Sequence, residues 1–200
     1  MKKSIRVMTL TAGLVILFAA PGIAWSDDDD HHPRSVFQTS EVYSIADGMP
    51  IAGGGTLNRN KRSVHLRVSA AGLDMNSTYS AWFIVFNHPE ACGGDSAPQP
   101  CSEADFGVEA VHAALLNAGG FVTGADGTGY FVGELNKKDH PEGLCCFGEL
   151  RDGMRPEIHV VIETHDTHDI GEVSTQMSEP MVACNPMCDD QFFLVFPPAR

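Results

Sequence analysis

Short runs of β-branched and aromatic residues, separated by Gly, Pro, Asn and Asp, recur along most of this chain. In "SVHLRVSAAGL", the apolar Val64, Leu66 and Val68 alternate with polar residues, which is typical of a strand with one buried face. "STYSAWFIVFN" is almost continuously apolar, as expected for a central strand covered on both faces. Long helical periodicity is absent. The chain therefore predicts an all-β fold, an antiparallel, Greek-key-like β-sandwich of about seven or eight strands.

Local patterns assign further elements. In "GGFVTGADGTGYFVGEL", two apolar runs flank an Asp-Gly turn, which predicts a β-hairpin. "AGGGT" follows Pro50 and has the composition of a turn. "GVEAVHAALLN" fits either a strand or a helix, and we favour a strand because no clear helix cap precedes it. "VFQTSEVYSI" predicts the first strand and "QFFLVF" the last.

The amino-terminal residues predict export. Lys2, Lys3 and Arg6 precede an apolar run that ends in small residues, the pattern of a signal peptide over residues 1–26. The alternative is an uncleaved anchor, but the apolar run falls short of the ~20 residues of a spanning helix. "DDDDHHPRS" predicts an acidic disordered tail over residues 27–35. Residues 36–200 then form a single β-sandwich domain, secreted or periplasmic, with no membrane span after cleavage.

The charge balance limits the partners. The chain has 13 Lys and Arg against 26 Asp and Glu, a formal net charge of −13. Such a chain repels phosphate backbones and anionic lipid surfaces, so nucleic acid is excluded as a partner class. A cation or another protein is the expected partner, and the sequence leaves the oligomeric state open.

The six cysteines predict disulfide bonds, because an even number in an exported chain usually pairs. Proximity suggests Cys92–Cys101, which closes "CGGDSAPQPC", and Cys184–Cys188, which closes "CNPMC". The adjacent Cys145 and Cys146 are compatible with a strained vicinal bond, with distant partners or with free thiols. The glutamates near "LCCFGE" disfavour a reactive thiol there.

The segment "EIHVVIETHDTHD" is the densest group of ionisable residues. On a strand, its apolar residues face the core while Glu157, His159, Glu163 and His165 face the other side. His159 and His165 are then about 20 Å apart, too far to share one ion. We expect "THDTHD" to leave the strand as a loop that can fold around Zn or Cu. The predicted metal ligands are His165, Asp166, His168 and Asp169, and the alternative is a solvated loop.

Other groups carry weaker signals. "NHPEAC" places His88 and Glu90 after the apolar strand, where they suit either acid–base chemistry or a simple turn. "MSEPMVACNPMCDD" combines the Cu(I)-type ligands Met and Cys, but a disulfide would remove the thiolates and methionine also fills cores. No Gly-x-Ser-x-Gly motif is present, and no phosphate-binding loop precedes a helix.

Three segments carry a family resemblance: "STYSAWFIVFNHPEAC" with "CSEADF", "GFVTGADGTGYFVGEL" and "EIHVVIETHD". Together they resemble an uncharacterised family of bacterial exported, disulfide-containing β-sandwich proteins. At the level of the fold, the chain also resembles CHRD-like and copper–zinc superoxide dismutase-like sandwiches. The dismutase copper site begins with His-x-His, which this sequence lacks, and the corresponding CHRD element retains only His159.

The sequence therefore favours a non-enzymatic binding or structural role, with a divalent cation as one ligand. The alternative is a copper- or zinc-dependent redox or hydrolytic enzyme of dismutase-like fold. That alternative requires His88, His159, His165 and His168 to converge in space. A third hypothesis, a surface assembly protein, requires an exposed apolar patch or sheet edge.

Overall fold

Two antiparallel sheets form the fold in the computed structural model, which describes residues 35–93, 101–139, 143–146 and 148–199. These residues belong to one compact unit, Pro33–Arg200. The predicted signal peptide and nearly all of the acidic tail lie outside the described residues. No helix among the described residues is long and apolar enough to cross a bilayer.

The strands divide into a four-stranded and a six-stranded sheet. The first has the order β1-β3-β4-β7, with β1 Val36–Ser40, β3 Gly53–Arg59, β4 Ser63–Ala71 and β7 Thr128–Asn136. The second has the order β2-β10-β9-β5-β6-β8, with β2 Tyr43–Ser44, β10 Asp189–Phe196, β9 Glu157–Thr167, β5 Ser77–Phe86, β6 Ala113–Val122 and β8 Gly143–Cys146. Short 3₁₀ turns span Pro89–Ala91 and Glu103–Asp105, and α1 spans Val173–Ser178. The predicted antiparallel sandwich is confirmed; the described residues hold ten strands because short pieces such as β2 also pair.

The predicted burial patterns are confirmed in the strands that build the core. In β4, Val64, Leu66 and Val68 are buried while the residues between them are exposed. Every residue of β5 is buried, and β5 lies inside the six-stranded sheet between β9 and β6. Its alternate residues enter the core between the sheets: Tyr79, Ala81, Phe83 and Val85. Burial of such apolar surface is the main favourable term in folding.

Arg59, at the end of β3, ties the two ends of the sandwich domain together. The side chain is fully buried and donates hydrogen bonds to four acceptors: the carbonyls of Gly153, Pro156 and Pro197 and the side chain of Gln38. Desolvation lowers the pKa of Arg59 to about 10, and the charge of Asp152 opposes that shift. The guanidinium therefore acts as a buried cross-link that joins β1 and β3 to the segment before β9 and to the segment after β10.

Two local predictions are wrong. The Asp-Gly segment forms a turn, but the strands on either side of it enter different sheets, since β6 pairs with β5 and β8 while β7 pairs with β4. The chain crosses from one sheet to the other there, and Phe121 stacks on Phe131 across the core with ring centroids 5.4 Å apart. The Gly-rich "AGGGT" is mostly strand rather than turn. A Cβ on Gly55 would collide with Leu194 of the opposite sheet, so glycine lets the sheets approach.

Both predicted local disulfides are present, Cys92–Cys101 and Cys184–Cys188. The first joins the residue after the first 3₁₀ turn to Cys101, two residues before the second 3₁₀ turn. The second closes a short loop directly before β10. The side chains of Cys145 and Cys146 lie outside what the structure describes, and their pairing stays open.

Candidate functional site

The outer face of the six-stranded sheet carries the polar residues of β9. Ile158, Val160 and Ile162 point into the core as predicted. The residues that alternate with them point outward, and of these Glu157, Glu163 and His165 are at most 1% exposed, while His159 and Val161 are half-buried. The outward side of β9 is therefore largely a second buried layer and not an open surface. Because buried ionisable groups need specific partners and cluster at functional sites, this layer is a candidate for the functional site of the protein.

A hydrogen-bond cluster lies at the centre of this layer. Ser80 Oγ accepts the indole N–H of Trp82 at 2.9 Å and lies 2.9 Å from His165 Nε2. It also lies 3.4 Å from Glu163 Oε2. Glu163 Oε1 accepts the backbone N–H of Met181 at 2.8 Å. Together these bonds attach the segment before the second disulfide to the sheet.

His165 lies against that disulfide. Its Nδ1 is 2.8 Å from the carbonyl oxygen of Val182 and 3.4 Å from Cys188 Sγ. Burial lowers the pKa of His165 below its ordinary value, and the bond to Val182 offsets part of that shift. A neutral imidazole has one N–H, and a carbonyl only accepts. Nδ1 therefore carries the proton, and Nε2 accepts the hydroxyl hydrogen of Ser80.

The predicted metal ligands His165, His168 and Asp169 form hydrogen bonds with different parts of the chain. β9 continues through Thr167, so the expectation that "THDTHD" leaves the strand as a loop is wrong for its first four residues. His168 donates from Nδ1 to the carbonyl of Asn76 at 2.9 Å. Asp169 Oδ1 accepts the N–H of Gly171 at 3.0 Å. The set His165, Asp166, His168 and Asp169 stays a prediction.

A different group of possible metal ligands comes together around His165. Ligand atoms of His165, Cys184 and Cys188 all lie within 4.8 Å of one another. Among the described residues, this is the group of three possible metal ligands that lies close enough to hold one ion. Both sulfur atoms belong to the disulfide. Sequence reasoning noted these cysteines and this histidine separately. The β9–β10 pairing that joins them is a long-range contact that the sequence pattern does not specify.

The four histidines of the enzymatic hypothesis do not converge. His159 packs edge-on against Phe86 and bonds to Glu157 Oε1 at 2.7 Å. His88, two residues beyond β5, packs against His112 and lies 3.3 Å from Glu90. His165 and His168 lie at the other end of β5, which has ten residues and spans about 30 Å.

A cavity of about 410 Å³ opens beside the buried cluster. Its apolar lining comes partly from the strands of the sheet and partly from segments outside the strands: Trp82, Ile84, Leu115 and Val161, and Phe106, Pro180 and Met181. Its polar lining consists of three carboxylates, Glu103, Glu163 and Asp190. Glu163 and Asp190 are direct cross-strand neighbours in the β9–β10 register. Sequence reasoning missed Asp190 and Glu103. The sequence offered a signal only for the adjacent cluster, in Ser80, a hydroxyl inside a strand that is buried throughout.

The cavity carboxylates repel one another. Desolvation raises the pKa of Glu163, the N–H of Met181 opposes the shift, and the charge of Asp190 adds to it. The side chain of Asp190 reaches solvent, but the surrounding protein still desolvates its carboxylate and raises its pKa. Repulsion from Glu103 and Asp189 raises it further. Among the described residues, no Lys, Arg or His pairs with any of the three lining carboxylates.

Comparisons with known proteins assign this chain to no family. No family model matches the chain, and no curated protein matches it. A solved structure of a mutant SOD-like protein from Bacillus subtilis is similar, with 15% sequence identity and a TM-score of 0.36. The match covers 80% of this chain and 97% of that protein. With a TM-score this low, the match carries no conclusion about this chain.

Proposed function

We propose that this is an exported, non-enzymatic binding protein that takes up a small organic cation, an ammonium group on an apolar body. The observation that carries the proposal is the cavity beside Trp82, with an apolar floor and an entirely acidic polar lining. The local disulfides support an oxidising compartment.

The floor of the cavity suits an apolar ligand body. Trp82 and Ile84 come from β5, Leu115 from β6 and Val161 from β9, so the floor is built on rigid strands. Phe106, just after the second 3₁₀ turn, adds a wall. Cavities of roughly 300–1,000 Å³ lined mainly by apolar side chains are typical of small-molecule sites. A volume of about 410 Å³ fits a ligand the size of an arylalkylamine.

The charge of the lining selects a cation. Two carboxylates directly opposite each other on neighbouring strands destabilise the sheet, because like charges in that position repel. A bound ammonium ion would relieve the repulsion between Glu163 and Asp190. Trp is the side chain whose ring attracts cations most strongly. An anionic ligand would meet three negative charges and no described positive one.

Pro180 and Met181, in the segment before the second disulfide, give the cavity a fixed edge. Met181 donates its N–H to Glu163, which fastens the segment to the sheet. Pro180 next to it has a restricted backbone, and both residues line the cavity. Ser80 and His165, the pair that most resembles a nucleophile and base, are fully buried and do not line the cavity. The geometry therefore favours binding over nucleophilic catalysis.

The test is a titration with matched probes. The chain has two tryptophans, and Trp25 leaves with the predicted signal peptide, residues 1–26, so Trp82 is the single tryptophan of the exported protein. We expect 2-phenylethylammonium to bind with one site and shift the emission of Trp82. The neutral 2-phenylethanol should bind about tenfold more weakly, since a desolvated cation–aromatic contact contributes ~1–2 kcal/mol. Phenylacetate should not bind, and Ca²⁺ alone should not compete.

Variants at neighbouring aspartates locate the site. Asp190→Asn should weaken 2-phenylethylammonium binding severalfold, because it removes a carboxylate from the lining. Asp189→Asn removes the same charge one residue away, outside the lining, and should have a smaller effect. Equal binding of the ammonium and the alcohol, or equal effects of the two variants, would overturn the proposal. Saturable Ca²⁺ binding that displaces the amine would replace it with a metal site.

A further inference from the structure

We propose that opening the Cys184–Cys188 disulfide turns His165, Cys184 and Cys188 into a binding site for Zn²⁺ or Cu(I). This inference is independent of the cavity, since none of these three residues lines it. It also differs from the metal site predicted from the sequence, with which it shares only His165.

The first support is geometric. The three ligand atoms already lie within 4.8 Å of one another, and Cys188 Sγ is 3.4 Å from His165 Nδ1. Zinc–sulfur and zinc–nitrogen bonds are ~2.3 and ~2.0 Å, so a central ion requires only small movements of the two cysteines once they separate. The four-residue separation of the cysteines keeps both thiolates near the histidine after reduction.

The second support is the hydrogen bonding behind His165. A metal on Nδ1 requires the ring proton to move to Nε2, which then donates to Ser80 Oγ, 2.9 Å away. Ser80 also accepts the N–H of Trp82, and in the metal-bound state its own hydroxyl hydrogen would turn from His165 to Glu163 Oε2, 3.4 Å away. On the Nε2 side of the ring, every group keeps a partner in the metal-bound state, while on the Nδ1 side the carbonyl of Val182 loses the N–H of His165. Metal-bound histidines usually donate their second N–H to such a partner, which fixes the ring and its tautomer.

The reaction balances with an external dithiol as the reductant. Thiol–disulfide exchange transfers two electrons to the Cys184–Cys188 bond, which becomes two thiols, while the dithiol closes to its own disulfide. The metal ion then displaces one proton from each thiol, and both protons go to solvent. Two thiolates neutralise Zn²⁺. The closed disulfide is the metal-free state, since it leaves no thiolate to bind.

The ligand set indicates which metals fit. Thiolate and imidazole ligands select zinc and Cu(I) over the hard cations Ca²⁺ and Mg²⁺. Three protein ligands leave one position of a tetrahedral zinc ion open to water. The same three ligands can hold Cu(I) without a fourth.

The experiment is a metal titration of the full protein in two redox states. One sample stays oxidised; the other is treated with dithiothreitol, which is then removed by anaerobic desalting. Co²⁺ serves as the spectroscopic stand-in for zinc, and Zn²⁺ is added afterwards to displace it. We expect one Co²⁺ per chain with thiolate-to-cobalt absorption in the reduced protein, loss of that signal with Zn²⁺, and no such signal in the oxidised protein.

Variants separate this site from the other cysteines. A variant with Ser at Cys92, Cys101, Cys145 and Cys146 leaves only the Cys184–Cys188 pair and should keep the thiolate–cobalt signal after reduction. Cys184→Ser/Cys188→Ser in the otherwise native chain should lose one equivalent of metal.

The histidines give a second comparison. His168→Ala should bind like the native protein, because His168 belongs to the sequence-predicted set and not to this group. Unchanged stoichiometry in Cys184→Ser/Cys188→Ser, or no metal bound to reduced native protein, would overturn the proposal. Metal binding to the oxidised protein that His168→Ala abolishes would assign the site to the sequence-predicted set instead.

Discussion

Ser80 offers the sharpest test of the buried layer behind the six-stranded sheet. Ser80→Ala removes one oxygen that serves two buried partners, Trp82 Nε1 and His165 Nε2, both at 2.9 Å. These side chains are 2% and 0% exposed, so water does not readily replace the lost partner. The expected outcome is a clear loss of stability with the fold retained.

The magnitude follows from the two orphaned groups. A buried polar group left without a partner costs about 1–3 kcal/mol, so two of them cost about 2–6 kcal/mol. Removing the hydroxyl also removes its own desolvation cost of ~1–3 kcal/mol, which offsets part of the loss. The net expectation for Ser80→Ala is a decrease of about 1–3 kcal/mol in the free energy of unfolding.

Thr78 is the matched control on the same strand. Its hydroxyl is buried but has no hydrogen-bond partner among the described residues. Thr78→Val should therefore leave the free energy of unfolding unchanged or raise it slightly. Urea denaturation followed by circular dichroism gives both values from the midpoint, provided that the m-value is unchanged. A loss below about 0.5 kcal/mol for Ser80→Ala, or an equal loss for Thr78→Val, would refute the reasoning.

Three further predictions use the same denaturation assay. The pKa of Tyr79 is raised to about 12, mainly by burial, whereas unfolded tyrosine ionises near pH ~10. The free energy of unfolding should therefore fall by about 2–3 kcal/mol between pH ~10 and ~12, and Tyr79→Phe should lack this loss. Arg59→Met should lose about 2–4 kcal/mol, because four acceptors lose their donor; an unchanged midpoint would argue against the cross-link. Gly153→Ala should lower the free energy of unfolding by ~1–3 kcal/mol, because a Cβ there would lie 2.8 Å from the carbonyl oxygen of Ser63. The control Gly107→Ala should be neutral, because a Cβ at Gly107 meets nothing within 4 Å.

Much of the fold could be predicted because strand periodicity is local. The alternation in β4 and the continuous apolar run in β5 specify which faces are buried, and both are confirmed. The hairpin prediction failed because a tight Asp-Gly turn does not determine whether the strands after it pair with each other. Here each strand finds a partner elsewhere in the chain: β6 with β5, and β7 with β4.

The candidate sites could be predicted only in part. The residues of β9 were assigned to the correct faces, but the covering of the outer face by loops depends on long-range packing. The cavity joins β5, β6, β9 and the start of β10, so no single stretch of sequence contains it. The proximity of His165 to Cys188 likewise arises from the β9–β10 register. The cysteine pairs closed short loops and were therefore readable from spacing alone.

The central claim is that the acidic cavity beside Trp82 holds an organic cation. A crystal structure of the protein with saturating 2-phenylethylammonium tests it most directly. We predict electron density for the ligand in this cavity, with its ring against the apolar floor and its nitrogen within hydrogen-bonding distance of Asp190 or Glu163. An empty cavity at a saturating ligand concentration, or the ligand bound at another surface, would contradict the claim.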